Sequence, residues 1–150
     1  MIINFVCFGN ICRSPMAEFI MKNLVQKAGL SEKIFIESSG TNATERSQIA
    51  SGTCLELAKN NIPHEPYRIS RKFNRADYQR CDLIIGMDEE NIFDIKKIAG
   101  GDPDNKVFMM MSFTGENRGV DDPYYTDNYI ATYQDISRAC KALMEKLNQS

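Results

Sequence analysis

The chain opens with an apolar run, Ile2-Ile3-Asn4-Phe5-Val6, that passes straight into Cys7-Phe8-Gly9-Asn10-Ile11-Cys12-Arg13-Ser14-Pro15. An apolar strand ending at a cysteine, then a short loop, then a Ser-Pro helix start, must turn from strand to helix within a few residues. Such a junction leaves several backbone N–H groups unpaired and pointing inward, and with the helix dipole they make a site for an oxyanion. Arg13 closes that site, because its planar fork matches two oxygens of a phosphoryl group. The same positive surroundings favour the thiolate of Cys7 over the thiol. Nucleophile and anion clamp therefore share one loop, whose expected ligands are phosphate, sulfate and vanadate. Taken singly, Cys7, Cys12 and Arg13 are ordinary packing and first-turn residues; their placement between strand and helix gives the Cys-x5-Arg pattern its weight.

The rest of the chain continues the alternation. Met16, Phe19, Ile20, Leu24 and Val25 fall at helical spacing, and Ala28-Gly29 ends that helix. Ile34-Phe35-Ile36 is a second strand ahead of Ser38-Ser39-Gly40-Thr41, residues 42–46 are a polar loop, and a helix is expected over residues 48–60. Pro63 and Pro66 mark a bend. Residues 82–87 form a third buried strand, Asp88-Glu89-Glu90-Asn91 the acidic opening of a helix carrying Ile92, Ile95 and Ile98, and residues 107–111 a fourth strand. Its methionine triplet is expected to fill core. After the turn Asp121-Asp122-Pro123-Tyr124-Tyr125, the positions of Ile130, Tyr133, Ile136, Cys140, Leu143, Met144 and Leu147 mark a long amphipathic helix. Strands separated by helices imply an α/β fold: a four-stranded parallel sheet flanked by helices on both faces. The phosphate-binding loop follows the first strand, and ligands sit at the carboxyl ends of strands.

One domain over residues 1–150 is the natural reading of this length. A net charge of -2 argues against a broad nucleic-acid or anionic-membrane footprint while leaving room for a local cationic pocket. No early apolar run has the length or flanks of a signal or membrane-spanning segment, so a cytoplasmic location is expected. Cys7, Cys12, Cys54, Cys81 and Cys140 are an odd set without a Cys-x2-Cys pair, and His64 is the single histidine. Neither a disulfide framework nor a zinc site fits, and Cys54, Cys81 and Cys140 are expected as buried free thiols.

Three motifs stand in a telling order and separation: Val6-Cys7-x5-Arg13-Ser14-Pro15, Met87-Asp88-Glu89-Glu90-Asn91 and Asp121-Asp122-Pro123-Tyr124-Tyr125. On these the chain resembles the low-molecular-weight protein tyrosine phosphatases over essentially its whole length. The resemblance implies no metal or cofactor, and hydrolysis of phosphotyrosine in proteins, or of small aryl phosphates, through a phosphocysteine intermediate. It makes Cys7 the nucleophile, Arg13 the phosphoryl clamp and Asp122 the general acid, whose proton donation is worth about a hundred- to ten-thousand-fold. Pro123 biases Asp122 toward an extended backbone from which it can reach over the pocket. Asn10 becomes the residue that holds the strained loop, a role suited to one that tolerates left-handed conformations. Ser14 becomes the hydroxyl that donates to the Cys7 sulfur. Phe8, Gly9, Asn10, Ile11, Cys12, Arg13 and Ser14 are then the loop that meets substrate, with Phe8 and Ile11 at its floor. Tyr124 and Tyr125 wall the pocket, core packing being the alternative for Tyr125. Cys12 is placed to form a reversible disulfide with Cys7 under oxidation. A monomer or weak homodimer is expected.

Two departures bear on substrate choice. Family members often carry a bulky aromatic after Ser-Gly-Thr, where this chain has the shorter Asn42-Ala43-Thr44-Glu45-Arg46, so one pocket wall is expected to be missing. The family more often has histidine three residues before an arginine; His64 stands four before Arg68, and a surface or core role is expected for it. A phosphoarginine phosphatase would need the same machinery in a differently shaped pocket. A thiol-linked arsenate reductase would need a cysteine seven residues after Cys81, where Asp88 stands. A non-catalytic phosphoprotein-binding module would need neither Cys7 nor Asp122.

Overall fold

In β1 (Ile2–Cys7) side chains alternate between two cores, as the period of a strand requires: Ile3, Phe5 and Cys7 enter one cluster and Val6 the other. This computed structural model describes residues 1–149. β2 (Phe35–Gly40), β3 (Leu83–Gly86) and β4 (Val107–Met109) complete a sheet in the order β2-β1-β3-β4, every pair parallel. α1 (Arg13–Lys27), α2 (Ser51–Lys59) and α6 (Tyr129–Asn148) contribute Met16, Phe19, Leu57, Ile136 and Leu143 to the first cluster. On the other face α3 (Arg75–Arg80) and α4 (Glu89–Ala99) contribute Tyr78, Ile95 and Ala99. The expected parallel sheet with helices on both faces is present.

Local chemistry sets the helix ends. Gly29, at φ +73, lets Leu30 N–H reach back to the Val25 carbonyl at 3.0 Å and closes α1. Asp88 caps α4, its carboxylate accepting from Asn91 N–H at 2.8 Å while the Asn91 side chain accepts from Asp88 N–H. The spacing that marked α1 as one-sided describes only part of it: residues 13–21 are all buried, so Glu18 lies inside the protein and requires partners.

Two expectations are corrected, and one helix was not foreseen. The fourth strand stops at Met109, and Met110–Thr114 is a 3₁₀ turn. A strand would send Met110 and Met111 to opposite faces, whereas both are fully buried in the single cluster that α6 also lines. The helix expected from residue 48 begins at Ser51, because Gln48 bridges to Ile69 and Ala50 is still extended. α3 went unread for want of an apolar period, although its signal, Asn74 capping reciprocally with Asp77, was in the sequence.

Candidate phosphate-binding site

β1 ends level with β2, Cys7 pairing with Gly40, so the loop 7–13 emerges at the carboxyl edge of the sheet. Its carbonyls are taken up from outside. Thr41 N–H donates to Cys7 O at 2.9 Å, Asn42 N–H to Phe8 O at 2.9 Å, Ala50 N–H to Ile11 O at 2.8 Å and Thr53 Oγ1 to Cys12 O at 3.1 Å. With the carbonyls turned outward, the N–H side of the loop faces the cavity, the arrangement an oxyanion requires. Asn10 takes φ +57, the left-handed conformation expected of it.

The Cys7 Sγ lies 3.0 Å from Ser14 Oγ and accepts from Asn10 N–H at 3.3 Å. Arg13 is 2% exposed. Its Nη1 donates to Asp88 Oδ2 at 2.7 Å and to the Val120 carbonyl at 2.8 Å, and its Nη2 reaches Asp122 Oδ2 at 3.4 Å. Burial pushes this guanidinium down, but the charge of the Cys7 sulfur, the hydrogen bond it donates to Asp88 and the charge of Asp122 outweigh it, so Arg13 is held above its ordinary value. Asp88 thus fixes the fork in place, whereas the sequence marked it only as part of the acidic opening of a helix and of a family motif.

A cavity of about 320 Å³ opens over the loop, lined by Cys7, Phe8, Gly9, Ile11, Cys12 and Arg13, with Asp122, Tyr124 and Tyr125 on one side and Asn42, Thr44 and Ser47 on another. Asp122 precedes α5 (Pro123–Thr126) with an extended backbone, and its Oδ1 accepts from Tyr124 N–H at 3.0 Å. Asp121, by contrast, does not line the cavity and is exposed. Tyr125 is 81% exposed and packs edge-on to Tyr124 with ring centroids 5.1 Å apart, so core packing is excluded for it. Phe8 is 42% exposed and stands at the rim rather than the floor. Where an aromatic wall was expected to be missing, the segment 42–47 presents amide and hydroxyl groups instead.

Asn10 and Ser14, expected against substrate, have no exposed surface and lie behind the loop. Asn10 Nδ2 donates to Ser14 Oγ at 2.8 Å and to Ser38 Oγ at 3.0 Å, while Arg68 Nη2 and Arg71 N–H donate to its Oδ1 at 3.1 and 3.0 Å. Ser38, Arg68 and the buried Glu18 behind them were not picked out from sequence; a glutamate inside an all-round buried helix was the available signal. His64 is half-buried, packs edge-on against Phe19 and has its Nδ1 2.9 Å from the Ile62 carbonyl. Cys12 Sγ lies 3.7 Å from Tyr129 Oη; burial pushes its thiol up to about 11 despite that hydrogen bond. Cys81 belongs to the other core, beside Glu37 and Asn4, and burial with the Glu37 charge pushes it up to about 12. Among the described residues no cluster of histidine, cysteine or acidic side chains could hold a metal ion.

The family model described as "low molecular weight phosphotyrosine protein phosphatase" matches residues 2–150. The low molecular weight protein-tyrosine-phosphatase PtpA of Staphylococcus epidermidis is 36% identical, over 95% of this chain and 91% of its own. The crystal structure of YfkJ from Bacillus subtilis superposes with a TM-score of 0.94 at 32% identity, covering 99% of this chain and 95% of that one. A structure of the YwlE arginine phosphatase with a phosphorylated active-site serine superposes with a TM-score of 0.89 at 26% identity, covering 100% of this chain and 97% of that one. A cysteine and an arginine clamp on one strand-to-helix loop, in a fold shared end to end with these enzymes, identify the chain as a hydrolase of the low molecular weight phosphotyrosine protein phosphatase family.

Proposed function

We propose that residues 1–150 act as one catalytic unit that hydrolyses phosphotyrosine in proteins, and small aryl phosphates, through Cys7. The observation that supports this reading is the cavity lining: an anion-binding floor at Cys7 and Arg13 beneath the apolar Phe8, Ile11, Tyr124 and Tyr125. In the first step the Cys7 sulfur attacks phosphorus while Arg13 holds two non-bridging oxygens. The phosphorus–oxygen bond to the aryl group breaks, and Asp122 gives its proton to the departing phenolate oxygen. Water then attacks phosphorus, its proton passes to Asp122, and the sulfur–phosphorus electron pair returns to Cys7. Ser14 Oγ, 3.0 Å away, donates to the sulfur as that charge develops.

Among the described residues no helix is long and apolar enough to cross a membrane. We take the enzyme to act in the cytoplasm as a monomer or weak homodimer. A phosphoarginine substrate shares the loop chemistry, but its guanidinium calls for acceptors beside the phosphorus, and among the described residues Asp122 is the one carboxylate lining the cavity. Initial rates on phosphotyrosine, phosphoserine and phosphoarginine peptides, with arsenate reduction in parallel, test the reading. Strong preference for phosphotyrosine is expected. Equal efficiency on phosphoserine refutes an aryl pocket, and higher efficiency on phosphoarginine makes that the substrate.

A further inference from the structure

Behind the loop lies a charged pair that the catalytic steps above do not use. Arg68 Nε meets Glu18 Oε1 at 2.9 Å, and the glutamate also accepts from Ser38 Oγ at 2.6 Å and from Lys22 Nζ at 2.6 Å. Arg68 Nη2 donates to Asn10 Oδ1 at 3.1 Å, to Ser38 O at 3.1 Å and to Ser38 Oγ at 2.5 Å. Arg68 Nη1 is buried without a hydrogen-bond partner among the described residues. An ion pair placed this deep, with one donor unmatched, is weak evidence for stability, since apolar side chains fill such a space without desolvating charge. Its placement against Asn10 gives it another use.

We infer that the Glu18–Arg68 pair is a positioning device that fixes the orientation of the Asn10 amide and thereby keeps the Ser14 proton available to the Cys7 sulfur; the inference rests on the phosphocysteine reading above. Glu18, facing Arg68 and Lys22, accepts, so the Ser38 hydroxyl proton points to it and Ser38 Oγ is left to accept. Arg68 only donates, so the Asn10 carbonyl oxygen must face it, and Arg71 N–H demands the same orientation. The Asn10 amide nitrogen is thereby turned onto Ser38 Oγ and Ser14 Oγ. Ser14 Oγ, already accepting from Asn10, keeps its one proton for the Cys7 sulfur at 3.0 Å or the Ser39 carbonyl at 3.2 Å, and the sulfur becomes the stronger acceptor as negative charge develops on it. A reversed Asn10 amide would present two N–H groups to the guanidinium and take the donor away from Ser14.

The step that depends most on the Ser14 proton is breakdown of the phosphoenzyme, in which the sulfur leaves carrying the electron pair. Formation of the phosphoenzyme from an aryl phosphate with an acidic phenol depends on it less. Arg68→Met keeps the stem and removes charge and donors. In pre-steady-state kinetics with such a substrate, it is expected to slow phosphoenzyme breakdown by about tenfold more than formation, so that phosphorylated Cys7 accumulates. Arg68→Lys, which restores a cationic donor, is expected to recover most of the breakdown rate. Equal slowing of both steps, or no recovery with lysine, overturns the positioning role. Should Arg68→Met fail to fold, Glu18→Gln reads the same ratio, since it keeps the shape and removes the charge; an unchanged ratio there overturns the proposal equally. Absence of any phosphocysteine in the wild-type enzyme would instead overturn the catalytic reading on which it rests.

Discussion

Gly40 ends β2 directly beside the phosphate-binding loop, and a methyl group added there would enter the loop's backbone. A Cβ built on Gly40 falls 2.6 Å from the Phe8 carbonyl oxygen, 2.9 Å from Asn10 N and 3.0 Å from Gly9 C. Ordinary van der Waals separation begins near 3.5 Å, so the loop backbone would have to retreat by roughly 0.5–1 Å. It cannot do so freely, because Thr41 N–H and Asn42 N–H tie Cys7 O and Phe8 O to the same segment. Gly40 does not lie among the positive-φ residues, so alanine is conformationally permitted and the effect is steric. Overpacking of this kind costs about 1–3 kcal/mol. The reduced freedom of the unfolded chain offsets about 0.4–1 kcal/mol of it. A net loss of about 1–2 kcal/mol is therefore expected for Gly40→Ala in urea denaturation. The effect on rate should exceed the effect on stability, since a displacement near 1 Å at a reacting centre costs about a hundredfold. The assay is kcat on an aryl phosphate beside equilibrium binding of inorganic phosphate. A variant whose kcat stays within threefold of wild type and whose stability is unchanged would refute the argument that Gly40 sets the position of the loop.

Asp122→Ala is expected to slow phosphoenzyme formation by about a hundredfold for a phenol of high pKa and progressively less for acidic phenols. Asp121→Ala, altering an exposed residue outside the cavity, should leave that dependence near wild type; a single-turnover series over graded aryl phosphates decides between them. After peroxide treatment, added thiol should restore wild-type activity but far less of that of Cys12→Ser, and equal recovery would refute a protective Cys7–Cys12 disulfide. Burial pushes Asp77 up, but hydrogen bonds from Arg71, Asn74 N–H and Arg80 outweigh it and hold the carboxyl below its ordinary range. A depressed folded value gives stability that is fully present above the unfolded pKa of about 3.9 and is lost as pH falls below it. Asp77→Asn should therefore cost about 2 kcal/mol near pH 7 and much less near pH 2, as read from denaturation at both values.

Periodicity and punctuation sufficed for the strand-loop-helix at the start, for the four parallel strands apart from the end of the last, and for the acidic opening of α4. Each of these is decided by neighbours in sequence: alternation along a strand, a glycine after a helix, an asparagine that accepts positive φ. The loop that carries Cys7 and Arg13, the proposed nucleophile and clamp, was legible for a similar reason, since both lie on one short segment, whereas the proposed acid, Asp122, was singled out by the family resemblance. What stayed hidden depends on residues distant along the chain. Arg13 is held by Asp88 and Asp122, Asn10 is oriented by Arg68 and Glu18, and Gly40 makes room for the loop. The methionines after β4 left the strand because α6 closed over that face, which no local pattern encodes. A sequence states which groups can donate, accept or attack; only packing brings them within 3 Å of one another, because charge pairing and close contact act through space, whatever the distance along the chain.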